Sequence, residues 1–402
     1  MVVKVSKPEI NVREKISELD KPSGTAGQAM LAAETPQEQF NLISAGRRNL
    51  IINGAMQVAQ RGTSNAITGG GYHTIDRWST VANSGMSYAV TMSQESTDSD
   101  TNGFGYSLKL LTTTAQSMTG SQNYSLRYQI EGRDIKHFSY GTVSAKVITL
   151  SFWVKSNKPG LFSLQIYNGN TGTNHSMLTS YTVNVADTWE YKTIVIPANT
   201  SQVMNRTESM GMMLDFNLAS GPDDIVSAFD WGLNYNGAAR AVTGQVNILD
   251  TVNNYFQITG VQLEVGDTAT PFEHRSYGEE LAACQRYYYQ IGGASQGGGG
   301  FDYLAHGFAD TTTRAIHLIH FPQNMRAAPT LVSSQTAGNF YWRAPIGNPT
   351  SPTATALPTL GGSSVKYGRV DCNGSGFSAG TGCFFEQNNS VNTFIAFNAE
   401  LL

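Results

Sequence analysis

Residues 148–155 read Ile-Thr-Leu-Ser-Phe-Trp-Val-Lys, and this stretch decides the fold class. Its apolar residues stand at every second position and alternate with Thr, Ser and Trp, which is the period of a strand with one buried face. Phe162, Leu164 and Ile166 repeat the pattern after a polar turn. Alternating segments separated by turn-rich loops predict an antiparallel jelly-roll-type β-sandwich over residues 49–277.

The alternation changes phase near residue 260. Phe256 and Ile258 are apolar at even positions, whereas Val261 and Leu263 are apolar at odd positions. A strand that changes its buried face in this way needs one extra residue, and glycine is the residue that most often accommodates it. We therefore predict a β-bulge at Gly260.

The end of the chain alternates again. We predict residues 301–402 to be a smaller C-terminal β-sandwich head, and residues 278–300, which include a run of four glycines, to be a linker. A long terminal strand is predicted from alternating residues, namely Val391, Thr393, Ile395, Phe397, Ala399 and Leu401.

Residues 1–48 have a different pattern. Asn11 with Glu14, and Thr25 with Gln28, have the spacing of helix N-terminal capping pairs, and the same spacing recurs from Thr35. The resulting helices of about two turns are marginal in water and too few to build a core. We therefore predict an attachment segment that packs on sister copies or on another protein. Its apolar contact residues would be Val12, Ile16, Leu19, Met30, Phe40 and Ile43.

Composition excludes several classes of protein. Only 14% of the 402 residues are charged and the formal net charge is −4, so a nucleic-acid ligand is not expected. There is no uncharged apolar run of 18 residues, so no membrane insertion is expected. Three cysteines are too few for a disulfide framework. We favour reduced thiols, and pairing of Cys372 with Cys383 across a hairpin is the alternative.

Short motifs follow one another along the chain, and they are Gly24-Thr-Ala-Gly-Gln-Ala-Met-Leu-Ala-Ala33, Gln39-Phe-Asn-Leu42, Asn49-Leu-Ile-Ile-Asn-Gly54, Gln60-Arg-Gly62, Asp76-Arg-Trp78, Ser151-Phe-Trp-Val-Lys155, Gly260-Val-Gln-Leu-Glu264, Glu280-Leu-Ala-Ala-Cys-Gln-Arg-Tyr-Tyr288 and Met325-Arg-Ala-Ala-Pro329. The first two resemble the helical attachment segment of bacteriophage tail fibres. The next five look like the carbohydrate-binding-module-like sandwich of phage virion proteins, and the last two are similar to the linker and head of the same proteins.

This resemblance implies a function. It implies a homotrimeric virion protein, a tail fibre assembled in the host cytoplasm, whose residues 1–48 dock on a tail or other virion protein. Its distal part would recognise a host surface glycan and mediate adsorption. A capsid decoration or tail-assembly protein without a ligand is the first alternative, and a glycan-degrading tail protein is the second.

The sequence predicts no enzyme and no cofactor. There is no nucleophile elbow, phosphate loop or zincin motif. A glycan hydrolase needs two carboxylates about 5–10 Å apart. Asp223 and Asp224, with Asp230 beside Trp231, form the one acidic cluster near an aromatic residue, and we interpret the first two as a solvated turn. We therefore predict no catalytic residues.

No metal site is predicted either. Residues 98–103 match the first half of a calcium loop, but Lys109 stands where the bidentate Glu is needed, so a polar turn is favoured. Glu264 is either a cation ligand, as the resemblance suggests, or simply the polar face of its strand. His317 and His320 are three apart on a predicted strand and would face opposite sides.

Glycan recognition is the chemistry that the sequence favours. Sugar rings present C–H faces that pack on aromatic planes, while amide, carboxylate and guanidinium groups bond their hydroxyls. Trp78, Trp153 and Trp189 lie in or beside predicted strands and are interpreted as packing residues. The predicted glycan-binding residues are Trp231, Tyr235, Asn236, Tyr341, Trp342, Arg343, Tyr367 and Arg369. Packing in the core or between subunits is the alternative for Trp231 and Trp342.

Overall fold

The alternating segments form β-strands in a computed structural model of the chain. The structure describes residue 32 and residues 48–401, except 84, 98–102, 170–174, 235–238, 294–302, 335, 344–353 and 388–392. The six residues predicted for attachment therefore lie outside the described residues. The chain divides between Arg48 and Asn49, and residues 49–402 form one compact unit.

The strands up to residue 277 are β1 (Ser64–Ile67), β2 (Gly71–Tyr72), β3 (Trp78–Ala82), β4 (Ala89–Ser96), β5 (Tyr106–Thr114), β6 (Asn123–Glu131), β7 (Ile148–Ser156), β8 (Gly160–Asn168), β9 (His175–Val183), β10 (Glu190–Ile196), β11 (Met210–Ser220), β12 (Ile225–Val226), β13 (Phe229–Asn234), β14 (Ala241–Val242) and β15 (Tyr255–Val265). Short 3-10 turns occupy Lys136–Phe138, Pro222–Asp224 and Ile248–Asp250.

Beyond residue 277 the elements are helix α1 (Tyr277–Gln285), β16 (Tyr288–Gly292), β17 (Tyr303–Ala309), β18 (Arg314–His320), β19 (Thr330–Ser333), a 3-10 turn (Ala337–Asn339), β20 (Phe340–Arg343), β21 (Thr359–Ser363), β22 (Tyr367–Asn373), β23 (Gly382–Gln387) and β24 (Phe394–Asn398). The chain is thus mainly β, as predicted.

Two antiparallel sheets face each other in the first sandwich. One has the strand order β1-β4-β5-β15-β7-β10 and the other β13-β9-β8-β11-β6-β3-β2. Their inner faces share one core, in which Phe152 of the first sheet packs edge-on against Phe216 of the second, with ring centroids 5.3 Å apart. The residues at 148, 150, 152 and 154 are all fully buried, so the predicted core face of β7 is confirmed. Thr149 and Ser151 on the other face are buried as well, so that face is not solvated at the start of the strand.

The predicted bulge is confirmed in β15. Its register with β7 shifts between Thr259 and Gln262, and Gly260 has a φ of +60°. Phe256 and Ile258 before the shift and Val261 after it are all fully buried. The extra residue therefore keeps both halves of the strand facing the same core.

A smaller sandwich follows in the same compact unit. Its sheets have the orders β16-β24-β19 and β20-β23-β17-β18-β22-β21 and share a second core. Ile395 and Phe397 of β24 are buried there, which confirms a terminal strand, but it spans only Phe394–Asn398 and is shorter than predicted. The described part of residues 278–300, predicted as a linker, holds most of α1 and all of β16.

Helix α1 begins with a capping box. The Ser276 hydroxyl accepts from the Glu279 amide at 3.3 Å, and the Ser276 amide donates to the Glu279 carboxylate at 3.0 Å. This reciprocal pair satisfies two amides that a helix N-terminus leaves open. Glu280 and Cys284 are buried, so the helix packs against the rest of the unit. In the described residues, no helix is long and apolar enough to cross a membrane.

His317 and His320 do face opposite sides of β18, as predicted. His317 is fully buried, with its ring 5.4 Å from that of Phe385 and its Nε2 3.6 Å from Cys383 Sγ, while His320 is exposed. Cys383 and Cys372 are both free thiols. Burial lowers the pKa of His317 from 6.5 to about 4.

This lowered pKa predicts acid sensitivity. Between pH 6.5 and about 4 the unfolded chain takes up a proton that folded His317 does not, so its contribution to stability is lost as the pH falls. We expect the free energy of unfolding to drop by about 2 kcal/mol from pH 7 to pH 5 through this residue. Urea unfolding at both pH values should show that His317→Gln removes this drop, whereas His320→Gln retains it. An equal drop in all three proteins would contradict the assignment.

Candidate functional site

Aromatic side chains lie on the outward face of the first sheet. Because Phe152 and Val154 point into the core, Trp153 and Lys155 of β7 point outward. Tyr191 of β10 lies opposite Trp153 in the register, and their ring centroids are 5.4 Å apart. Tyr191 is 46% exposed. Two adjacent strands therefore present one aromatic pair to solvent.

A second row of outward-facing side chains crosses the sheet beside this pair. Trp189, just before β10, lies under Lys155 Nζ, which is 5.5 Å from the indole centroid. Gln257 of β15 lies between Lys155 and Lys109 in the register, with one on each neighbouring strand. An open pocket of about 310 Å³ lies here, lined by Ser96, Thr97, Lys155, Asp187, Thr188, Trp189 and Gln257.

Tyr255 of β15 lies at the end of this row, in contact with Asp187 and Lys109. Its hydroxyl donates to Asp187 Oδ1 at 2.5 Å, and Lys109 Nζ lies 5.0 Å from its ring centroid. Burial and the neighbouring Asp187 raise the pKa of Tyr255, so the hydroxyl remains a donor. We call this surface the aromatic platform, made of Trp153, Lys155, Trp189, Tyr191, Tyr255 and Gln257.

The aromatic platform is not among the sites predicted from the sequence. Trp78, Trp153 and Trp189 are all predicted to be packing residues, and this is confirmed only for Trp78, which is fully buried. Trp153 and Trp189 are half-buried on the outward side. The available signal was their phase, because Trp153 occupies a polar position of the alternating β7 segment. A residue at such a position is expected to point away from the core.

The residues of the first sandwich that are predicted to bind glycan do not form an open site, as far as the structure describes them. Trp231 lies in β13, donates its indole N–H to the Pro197 carbonyl at 2.7 Å, and contacts the Tyr140 ring edge-on at 5.7 Å. It is half-buried against the core. Tyr235 and Asn236 lie outside the described residues. Their glycan-binding role stays a prediction.

The predicted residues of the head fall into two groups. Tyr341, Trp342 and Arg343 lie in β20 at one edge of the six-stranded sheet. Tyr367 and Arg369 lie in β22, four strand positions away, which is about 19 Å at the usual spacing. The two groups therefore do not form a single small site.

Two of the acidic residues considered for chemistry, Glu264 and Asp224, are buried with structural partners, so the interpretation of Asp224 as part of a solvated turn is wrong, whereas Asp223 and Asp230 are exposed. Glu264 is buried and accepts from the Thr270 amide at 2.9 Å and the Thr270 hydroxyl at 2.6 Å. Asp224 is also buried, 3.4 Å from Arg240 Nε, and burial raises its pKa to about 6. Among the described residues, no group of three or more His, Cys, Asp or Glu side chains is placed to hold a metal ion.

Several resemblance motifs converge at one buried junction between the two sandwiches. Arg77 pairs with Glu400 near the end of the chain, and its guanidinium lies 3.5 Å from the centroid of the Tyr287 ring. Arg61 lies 3.2 Å from Glu400 and stacks on Tyr288 at 3.6 Å. These motifs therefore hold the two sandwiches together.

Further contacts strengthen the same junction. The Gln60 side chain donates to the Tyr288 carbonyl at 2.7 Å and also to Asp76. The Arg326 guanidinium donates to the Ala399 carbonyl at 2.7 Å, and its backbone amide donates to the Arg286 carbonyl at 2.8 Å. Burial raises the pKa of Asp76 to about 6, although the neighbouring Arg61 opposes that shift. The junction is a structural network rather than a ligand site.

The chain matches no family model and no curated protein. It is similar to the enzymatically active domain of tailspike protein 4 of bacteriophage CBA120, with 11% identity, a TM-score of 0.30 and coverage of 54% of this chain and 21% of that one. It therefore spans about a fifth of the tailspike chain.

Carbohydrate-binding modules are also similar to this chain. A family 11 module of a cellulase from Clostridium thermocellum has 14% identity and a TM-score of 0.26, covering 52% of this chain and 99% of the module. A family 61 module in complex with β-1,4-galactotriose has 10% identity and a TM-score of 0.26, covering 55% and 100%. The two-sheet architecture rests on the strand pairing described above and not on these likenesses.

Proposed function

We propose that this chain is a non-catalytic glycan-binding protein of a phage virion. The observation that carries the glycan-binding part is the aromatic platform. Its four rings lie on or beside three neighbouring strands of one sheet, next to an open pocket that holds amide, ammonium and carboxylate groups. Aromatic planes beside hydrogen-bonding groups are what a sugar ring needs.

The position of the platform on strands favours binding. Rings held by strands lose little conformational freedom when a ligand arrives, so a smaller part of the interaction energy is spent on ordering them. Lys155 is partly held over Trp189, and Tyr255 is fixed through Asp187. The surface is therefore largely formed before the glycan binds.

The virion part of the proposal rests on the sequence. Residues 1–48 are too short to fold alone and contain the attachment motif, so we propose that they dock on a tail or other virion protein. The order of motifs along the chain supports a homotrimeric tail fibre that mediates adsorption to a host surface glycan. Assembly would take place in the host cytoplasm, and the virion would be the final location.

A glycan array and whole-cell adsorption test the proposal with the full chain. We expect Trp189→Ala and Tyr191→Ala each to weaken glycan binding about tenfold or more, since one lost ring is worth about 1.4 kcal/mol. Tyr277→Ala is the matched control, because Tyr277 is 57% exposed on α1, away from the platform.

Three results would contradict the proposal. No binding to any glycan and no adsorption to cells would favour a purely structural virion protein. Release of oligosaccharides from a host polysaccharide by the purified chain would show a glycan-degrading activity instead. Equal loss in the Tyr277→Ala control would show that the effect is not specific to the platform.

A further inference from the structure

We propose a second glycan site on the outward face of the C-terminal six-stranded sheet, centred on Arg369 and Asp371 and selective for neutral sugars. The inference rests on the proposed glycan-binding function but uses a separate surface. Arg369, Asp371 and Tyr367 alternate along β22, so all three side chains share the outward face.

A bidentate pair forms the centre of this site. Arg369 Nε donates to Asp371 Oδ1 at 2.7 Å, and Arg369 Nη2 donates to Oδ2 at 2.8 Å. In the described part of the chain, the pair leaves the Nη1 donors of Arg369 without another protein acceptor, and the Arg369 side chain is 42% exposed. A donor and an acceptor side by side match two vicinal hydroxyls, because each hydroxyl both donates and accepts.

The edge strand leaves this pair open. Gly361 of β21 lies so close that a Cβ on it would be 2.3 Å from Asp371 Oδ1 and 2.5 Å from Arg369 Nε. No side chain from this position can therefore cover the pair. Gly362, the register partner of Arg369, is also exposed and has open space where its Cβ would be. Arg369, with a side chain 42% exposed, is therefore reachable from solvent, whereas Asp371 is buried and its side chain is only 10% exposed.

Apolar and aromatic groups border the pair on its other side. Tyr367 is 41% exposed, and its ring meets that of His320 edge-on at 6.4 Å. Arg369 also lines an open groove of about 700 Å³, together with Leu318, His306 and Phe308. Sugar C–H faces can pack along this groove while the hydroxyls reach the Arg369 guanidinium.

The charge balance selects a neutral ligand. A second bidentate pair on this sheet joins Arg314 to Asp310, with Arg314 Nε 3.0 and 3.1 Å from the two carboxylate oxygens. The two arginines and two aspartates cancel, so an anionic sugar would gain no net attraction from these four groups. A neutral hexose needs no such attraction and can bind through hydrogen bonds and ring packing alone.

A glycan array bearing neutral mannose, galactose, glucose and N-acetylglucosamine oligosaccharides tests the site with the full chain. We expect one set of neutral glycans to lose binding about tenfold or more in Tyr367→Ala and in Arg369→Met, and to be unchanged in Trp189→Ala. Because Tyr367 is exposed, we expect Tyr367→Ala to fold normally, so a loss of binding in this variant is not due to misfolding. Tyr277→Ala is again the control. Thermal unfolding checks each variant.

The outcomes separate this inference from the proposed function. Binding that depends only on Trp189 and Tyr191 would overturn the second site and leave the platform standing. No binding by the wild-type chain would overturn both. If mass photometry shows that Tyr367→Ala or Arg369→Met changes the oligomeric state without changing glycan binding, the surface is an interface between copies and the inference is wrong.

Discussion

Glu400→Gln is expected to destabilise the protein by about 3–5 kcal/mol, the usual loss when one partner of a buried ion pair is removed. The Glu400 and Arg77 side chains are both only 1% exposed, and Glu400 is also 3.2 Å from Arg61. The amide would leave the Arg77 guanidinium buried beside Tyr287 without its counter-charge. Since whole domains are stable by about 5–15 kcal/mol, urea unfolding should show a large shift of the midpoint.

Glu208→Gln is the matched control for this prediction. Glu208 also pairs with an arginine, Arg133, but its side chain is 55% exposed, so water replaces the lost partner. We expect little change in its unfolding midpoint. A double variant, Arg77→Met with Glu400→Met, should recover part of the loss because Arg61 still has Asp76, 3.4 Å away. Equal shifts for Glu400→Gln and Glu208→Gln would show that the junction does not stabilise the fold.

Gly54→Ala is expected to cost about 3 kcal/mol, the upper end for an added methyl in a packed interior. A Cβ at this position would lie 2.2 Å from the Val261 carbonyl oxygen. The obstacle is backbone, and it cannot rotate away because the Val261 amide also donates to the Gly54 carbonyl at 3.0 Å. Val261 directly follows the bulge at Gly260, so the change would disturb the central strand of the first sheet.

Gly278→Ala provides the opposite result for comparison. Gly278 lies in α1 with nothing within 4 Å of the added Cβ. Alanine there should stabilise the helix by about 0.5–1 kcal/mol. Thermal or urea unfolding of both variants measures the contrast. If Gly54→Ala were as stable as the wild-type chain, the close approach of residues 54 and 261 would not exist in solution.

The sequence predicted local features well. The alternation of β7, the bulge at Gly260 and the buried residues of β24 were all read from spacings of a few residues. The same reasoning placed His317 and His320 on opposite faces. The packing role predicted for Trp153 and Trp189 is not confirmed. That prediction followed from their being tryptophans and ignored the outward phase of Trp153 in its strand.

The candidate site depended on pairings that no local pattern reveals. Tyr191 meets Trp153 only because β10 lies beside β7, and Tyr255 joins them only through the register of β15. In the head, Tyr341 and Tyr367 each stand two residues before an arginine, yet their strands lie four positions apart in the sheet. The sequence could therefore name individual glycan-binding candidates but could not predict which of them lie together on one surface.

The sequence by itself determined the fold class of this protein, because the period of a strand is set by neighbours along the chain. The tertiary structure alone decided that Arg61 and Glu400, 339 positions apart, share one buried network, and that aromatic residues of β7, β10 and β15 share one surface. The physical reason is that register and sheet order follow from burial of the whole core, to which every strand contributes.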